Sequence, residues 1–504
     1  MKLFTTSQAK LIDQFTIENE PVSDASLMER AAIAMQQWLL EKFGTDISYI
    51  LVAGHGNNGG DALALARLLV SQGCRCKVLL AAVPEYLKGS AALNYDRLTK
   101  QGIAQISTIL VESDIPGIDN DSVIIDALFG SGLNRPAEGI HLSLIKTINE
   151  SGAITVSIDV PSGLAGEDNS GNNPDGIVKA DYTLTLQFPK LAMLLPDFGP
   201  YCGKVETLDI GLHPKALKDF QSSYYYTSGE EIALMIKPRA KFSQKWDYGS
   251  ALLIAGSAGK AGAALLGARA AMRSGVGLLT VHLPKECYKI VQTEVPEAMC
   301  SVDPSDKIFT RLPSRTSFTA IGAGPGIGTD PQTEKALREL LVSKPERLVL
   351  DADALNLISS DREMIEMLPK GTIITPHIKE FERLAGKLHN SYERMNFQRE
   401  LSIRHSIVVV LKGAHTCITL PDGTIHFNST GNPGMSTAGS GDVLTGILLS
   451  LLAQGYPPEE AALAGVYLHG LSGDLAASEI GEVSLIAGDI VDYLPDAFRL
   501  LSGM

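Results

Sequence analysis

Short runs of Val, Ile and Leu alternate along the chain with Gly/Asp/Ser loops and then with apolar positions at helical spacing. This alternation predicts strands buried on both faces and joined by helices, hence parallel sheets in an α/β fold. In the first part the predicted strands are 49–53 (YILVA), 77–82 (KVLLAA), 122–126 (SVIID) and 154–159 (ITVSID). A helix with an acceptor residue at its start is predicted over 24–42, and another begins near Asp61 (DALALARLLVSQG).

After the turn-like 211–214 (GLHP) comes a polar, Tyr-rich stretch, 221–227 (QSSYYYT), and the alternation then starts afresh. A boundary is expected at 215–230, giving domains over 1–215 and 225–504. The second part offers strands at 250–255 (SALLIA), 277–283 (GLLTVHL), 318–322 (FTAIG), 347–351 (RLVLD), 372–375 (TIIT) and 407–411 (IVVVL). Residues 415–428, with Asp422-Gly423 in the middle, read as a β-hairpin. No period of 20 to 50 residues is visible, which excludes repeat architectures.

Composition narrows the function. The 504 residues carry a formal charge of −14 with no Lys/Arg run, which disfavours a nucleic-acid binder, because a phosphate backbone selects basic faces. Hydrophobic residues at 45% and charged residues at 20% supply large cores. The six cysteines are scattered, the N-terminus lacks an apolar signal core and no long apolar run occurs, so a cytoplasmic protein with reduced thiols and no membrane contact is expected. Glycine, 48 residues, exceeds the usual ~7%, and its placement leads to the chemistry.

The segment Gly54-His-Gly-Asn-Asn-Gly59 matches G-x-G-x-x-G between a strand and a helix. A nicotinamide-dinucleotide fingerprint also needs an acid about 20 positions on to hold the ribose, and Leu79, Leu80 and Ala81 stand there. A standard dehydrogenase is therefore demoted. What replaces it is a set of oxygen-bearing side chains at successive strand ends: Asn57, Asn58 and Asp61, then Asp126, then Asp159 with Ser162. Ligands of open α/β sheets sit outside those ends, and such oxygens without His or Cys suit a hard cation. The loop Gly130-Ser-Gly-Leu-Asn-Arg-Pro136 adds amides and Arg135, which suit a phosphate.

Near the C-terminus, 431–442 (GNPGMSTAGSGD) runs directly into the apolar helix pattern VLTGILLSLLAQG. Free amides at a helix start make an anion hole, and Asp442 there can accept a hydroxyl proton while the 438–441 amides hold the transferring phosphoryl charge. No Walker P-loop occurs. Other strand ends carry 323–328 (AGPGIG), 351–356 (DADALN), 376–380 (PHIKE) and 412–416 (KGAHT).

GHGNNGGD, DALFGSGLNRP and IDVPSGL together resemble the N-terminal domain of the bifunctional NAD(P)H-hydrate repair enzymes, the NAD(P)HX epimerase, over about residues 1 to 215. The second set resembles the ribokinase-like fold, and most closely the NAD(P)HX dehydratase domain, over about 225 to 504. The resemblance implies a Rossmann-like three-layer α/β domain followed by a ribokinase-like one. It implies that Asn58, Asp126 and Ser162 ligate potassium, while Asn57, Asn58, Gly59, Gly60, Asp61, Gly130, Ser131, Gly132, Leu133, Asn134, Arg135, Pro136 and Asp159 contact the hydrated cofactor. In the second domain it implies that Lys412, Gly413, Ala414, His415, Thr416 and Gly441 bind the adenine nucleotide, and that Ala263, Gly326, His377 and Asp442 face the substrate. Where relatives often read T-P-H-P-G-E, this chain has TPHIKE at 375–380, which keeps His377 and Glu380; Glu380 is expected to act through Mg²⁺ and its waters.

The expected activity is repair of hydrated NADH and NADPH: epimerisation of the R and S hydrates, with Asp159 as acid/base, and dehydration of the S form, with Asp442 as base. ADP with Mg²⁺ is the implied donor, and a homo-oligomer is expected. Two rivals stand beside this reading: a ribokinase-like kinase of a small hydroxylated molecule, and an N-terminal domain serving only as a binding scaffold.

Overall fold

The computed structural model describes residues 1–313 and 317–503. The chain divides into two compact units: Lys2–Ser222 with Asn390–Tyr392, and Met1 with Ser223–His389 and Glu393–Met504.

The first unit is built on a seven-stranded sheet. Its order is Gln105–Thr108, Arg75–Leu80, Ser48–Ala53, Val123–Ala127, Ile154–Ile158, Tyr182–Leu186 and Lys204–Leu208, every neighbour parallel. Strand order reverses between Ser48–Ala53 and Val123–Ala127, so the crevice at their carboxyl ends is the switch point at which ligands of such sheets bind. Gly54 and Leu128 meet there so closely that a Cβ on Gly54 would lie 2.0 Å from the Leu128 carbonyl oxygen.

Two expectations are corrected here. The helix expected from near Asp61 begins at Asn57 and runs to Ser71, buried along most of its length. Its glycines are packing surfaces within the helix: a Cβ on Gly59 would fall 2.0 Å from the Gly54 carbonyl oxygen, and one on Gly60 would fall 2.8 Å from Met28 Cε. The helix expected over 24–42 spans Asp24–Phe43, and its cap is Ser23.

The second unit carries a sheet that includes, in order, Tyr224–Thr227, Ile425–Asn428, Cys417–Thr419, Val408–Leu411, Ile373–Ile374, Leu348–Leu350, Ala320–Ala323, Ser250–Ile254, Leu278–Leu283 and Met299–Val302. Within this run only Cys417–Thr419 is antiparallel to its neighbours, and it forms the expected hairpin with Ile425–Asn428. Alternate residues of Ser250–Ile254 feed opposite cores: Ala251 and Leu253 one, Leu252 and Ile254 the other. The first core includes residues of helices Ala261–Arg273, Ser440–Ala453, Pro458–Ile480 and Ala487–Ser502. Helices Pro331–Val342 and Asp353–Ser360 cover the other face.

The polar stretch at 221–227 contains a strand of this sheet, Tyr224–Thr227, parallel to Ile425–Asn428. Its tyrosines carry β propensity without aliphatic character, and Tyr225 stacks on His426 at 4.6 Å.

Candidate functional site

In the first unit the three strand ends converge. Asn58, in the first turn of its helix, donates through Nδ2 to the carbonyls of Phe129 at 2.8 Å and Ile158 at 3.2 Å. Asp126 Oδ2 accepts from Ser157 Oγ at 2.7 Å and from the Ser162 amide at 2.8 Å. The Phe129 amide in turn donates to Ser162 Oγ at 2.8 Å. Asn58, Asp126 and Ser162 are all buried. Burial pushes the Asp126 carboxyl above the ordinary carboxylate range, against hydrogen bonds from Ser162, Ser157 and Leu128 that pull it down.

Asp126 has no ion-pair partner among the described residues. A buried carboxylate surrounded by hydroxyl, amide and carbonyl oxygens, with no cationic side chain, is a donor set that fits potassium.

Beside it, Asp159 holds a left-handed backbone at φ 64°, and such strain in a non-glycine residue clusters at functional sites. Its carboxylate pairs with Lys190 Nζ at 2.5 Å, and Lys190 also donates to Thr185 Oγ1 and to the Leu186 and Phe188 carbonyls. Desolvation pushes Asp61 well above the carboxylate range, with the Asp159, Asp24 and Asp13 charges adding to the effect. Burial raises Asp13 to about 6, with Lys190 opposing the rise. Lys190 thus acts electrostatically on both Asp13 and Asp159, and Asp159 in turn on Asp61.

The loop Gly130–Pro136 lines the same crevice. A Cβ on Gly130 would lie 3.4 Å from Asn58 Cβ, and one on Gly132 would lie 3.5 Å from Lys10 Nζ. Leu133 to Pro136 face Ala165, Asp168, Asn169, Gly171 and Asn172 across a cavity of about 170 Å³.

In the second unit, Gly439 at φ 92° turns the glycine-rich loop into the helix Ser440–Ala453, which places Asp442 in its first turn. Lys412 Nζ bonds Asp351 Oδ1 at 2.8 Å, and Thr445 Oγ1 bonds Asp351 Oδ2 at 2.9 Å. A Cβ on Gly441 would sit 3.3 Å from Lys412 Nζ and 3.5 Å from Asp351 Oδ2, which places the nucleotide-binding candidates against the loop. Desolvation first, then the Asp351 charge, raises the Asp442 carboxyl to about 6, while Lys412 lowers it.

Ala263 and Gly326 also meet: a Cβ on Gly326 would lie 3.1 Å from Ala263 Cβ. Asp353 pairs with Lys260 at 3.1 Å and accepts from the Gly328 amide at 2.9 Å. His377 bridges to Lys412 through the backbone, caps the helix Ile378–Ala385 and accepts from the Glu380 amide through Nδ1. Glu380 Oε2 returns the bond from the His377 amide at 2.9 Å, so this carboxylate is engaged in the cap. Gly413 and Thr416 close a turn, and His415 Nδ1 lies 3.3 Å from the Asn428 carbonyl oxygen.

Sequence reasoning missed Lys190 and Asp13 in the first unit and Thr445 and His469 in the second. Lys190 left a signal, a lone charge within the apolar run 188–195 (FPKLAMLL). His469, likewise inside an apolar helix, bonds the Ser440 carbonyl at 2.9 Å through Nε2, and burial lowers its pKa to about 4.

Comparison with known proteins gives two family matches: residues 24–192 to the YjeF-related protein N-terminus, and residues 251–496 to NAD(P)H-hydrate dehydratase. The bifunctional NAD(P)H-hydrate repair enzyme of Thermofilum pendens is 36% identical, covering 99% of this chain and 97% of that protein. The one from Moorella thermoacetica is 33% identical at the same coverage of both chains. A ribokinase-like superfamily protein from Enterococcus faecalis shares 26% identity and a TM-score of 0.50, covering 56% of this chain and 99% of that one.

The switch-point crevice of the first unit with its buried carboxylates, and the ribokinase-like fold of the second with a carboxylate in the first turn of a glycine-led helix, define an α/β enzyme of two units. The chain belongs to the bifunctional NAD(P)H-hydrate repair enzymes, which combine an epimerase with a dehydratase.

Proposed function

We propose that the two reactions are divided between the two units, the first (residues 1–215) epimerising the hydrates and the second (225–504) dehydrating the S form with ADP as phosphoryl donor. The observation that carries this reading is the placement of two carboxylates, Asp159 and Asp442, each in its own strand-end crevice with its own lysine, Lys190 and Lys412.

For dehydration, Asp442 takes the proton of the ring hydroxyl as that oxygen attacks the terminal phosphorus of ADP. The new P–O bond forms as the bond to AMP breaks, and the 438–441 amides with Lys412 hold the charge that develops. Hydroxide, a poor leaving group, has become phosphate; its departure with loss of a proton from the neighbouring ring carbon restores the double bond. Asp351 positions Lys412, and Thr445 positions Asp351.

Mg²⁺ supplies charge neutralisation on the nucleotide's phosphates. Asp351, Asp353 and Asp442 are the carboxylates near them. Among the described residues no group of three His, Cys, Asp or Glu is placed to hold a metal ion by itself.

For epimerisation, Asp159, positioned by Lys190, exchanges a proton with the hydroxyl beside the ring nitrogen. Asn57 to Asp61 and the loop Gly130–Pro136 hold the cofactor, with Arg135 on phosphate. Asn58, Asp126 and Ser162 hold potassium, which stabilises the crevice electrostatically. We further propose a cytoplasmic location. Among the described residues no helix is long and apolar enough to cross a membrane.

Incubation with a mixture of R and S hydrates tests the reading. With ADP, both should be converted to the reduced cofactor with one AMP and one phosphate each; without ADP, the epimers should equilibrate and no reduced cofactor should form. A stable phosphorylated product would point instead to a small-molecule kinase.

A further inference from the structure

Helices Ala261–Arg273 and Ser440–Ala453 begin at the phosphoryl-transfer site, next to Ala263 and Asp442. At 1.5 Å per residue their far ends lie about 20 Å away. A second cavity, about 850 Å³ in volume, opens at those far ends, between Met272–Gly275, Leu451–Tyr456, the segment 230–239 and the end of helix Ala487–Ser502. Its volume falls in the range of small-molecule sites, roughly 300–1,000 Å³.

The lining has two characters. Leu234, Ile236, Met272, Leu451, Phe498 and Leu501 are apolar, and Leu234 is almost fully exposed. Lys237, Arg239 and Arg273 bring three cations against the single carboxylate of Glu230.

Two of these cations have structural duties. Lys237 Nζ sits 4.3 Å from the Tyr456 ring centroid and 3.3 Å from the Gly455 carbonyl, and Arg239 lies over Tyr248 and donates to the Gly275 carbonyl. Both thereby satisfy carbonyls just beyond helix C-termini. The exposed Arg273 guanidinium makes no ion pair or hydrogen bond among the described residues. Beside it, Ser274 also lines the cavity, but its hydroxyl oxygen is itself buried and turned away from the open space.

We propose that this cavity is a binding site, distinct from the nucleotide site, for an organic anion with an apolar body: the body against Leu234, Met272, Leu451 and Phe498, the anionic group on the Arg273 guanidinium.

The test uses the full-length protein saturated with ADP, so that the nucleotide site is filled. The probes are the anionic dye 8-anilinonaphthalene-1-sulfonate and its neutral counterpart N-phenyl-1-naphthylamine, followed by fluorescence. The anion should bind one-to-one, and R273E should weaken it about ten-fold, as reversing the charge beside the anionic group does, while leaving the neutral dye unaffected. R273Q should weaken it less, and both variants should keep wild-type dehydratase activity, which shows that they fold. Decanoate, an organic anion with an apolar body, should displace the dye, and failure to displace it would overturn the proposal. The proposal is overturned if the wild type shows no one-to-one binding of the anionic dye, if R273E leaves that binding unchanged, or if it weakens both dyes equally. None of these outcomes bears on the division of the two reactions between the units.

Discussion

Lys190 Nζ lies 2.5 Å from Asp159 Oδ1, with Lys190 almost wholly buried and Asp159 held in a left-handed backbone. Removing one member of such a pair leaves the other charge uncompensated. Lys190→Met should therefore lower epimerisation by about 10²-fold or more, the range of a lost acid/base contribution. Dehydration of pure S hydrate should stay unchanged. If Lys190→Met fell equally in both activities, Lys190 would be a folding residue and not a positioning one.

Asp442 offers a pH test with a definite sign. Its carboxyl is raised to about 6, chiefly by burial, and in the proposed role of base it must be ionised to accept the hydroxyl proton. Dehydratase kcat/KM on the S hydrate should fall as pH drops through about 6. The linkage runs the other way for stability: a raised folded pKa means that the ionised form burdens the fold above that value and that protonation relieves it. Asp442→Asn should raise the thermal midpoint at pH 7, and the gain should shrink as pH falls from about 6 towards 4, where wild-type Asp442 is protonated in the folded state. Thermal unfolding across that pH range measures it.

Gly59 has no room for a side chain, because a Cβ would stand 2.0 Å from the Gly54 carbonyl oxygen, a backbone atom that cannot step aside. Gly59→Ala should destabilise the first unit by at least about 1–3 kcal/mol, as overpacking does. Limited proteolysis should show earlier cleavage within residues 2–222, with dehydratase activity retained.

Asp351 is buried between Lys412 and Thr445. Asp351→Asn weakens the hold on Lys412 and should raise the KM for ADP about ten-fold, while the KM for the hydrate changes little. Steady-state kinetics with each substrate varied in turn separate the two.

Most central strands could be read from the sequence because each is an apolar run buried on both faces, as Leu252 and Leu253 show by entering opposite cores. Edge strands could not be read in this way. Gln105–Thr108 and Lys204–Leu208 are largely polar because one side faces solvent, and Met299–Val302 is only four residues long; Tyr224–Thr227, inside its sheet, reads as a linker because its β character is carried by tyrosines. Strand-end residues such as Asp126, Asp159 and Lys412 were legible because glycine loops flank them. Lys190 was not, since it enters the crevice from an irregular stretch after Tyr182–Leu186, and only the fold brings it against Asp159.

The division of labour between the two crevices is tested most directly by exchanging their carboxylates one at a time and assaying pure R and pure S hydrates. Asp159→Asn should abolish interconversion of the epimers while the S hydrate is still dehydrated with ADP; Asp442→Asn should abolish dehydration while the epimers still equilibrate. Loss of both activities from either variant, in protein whose unfolding transition remains cooperative, would contradict the two-site account.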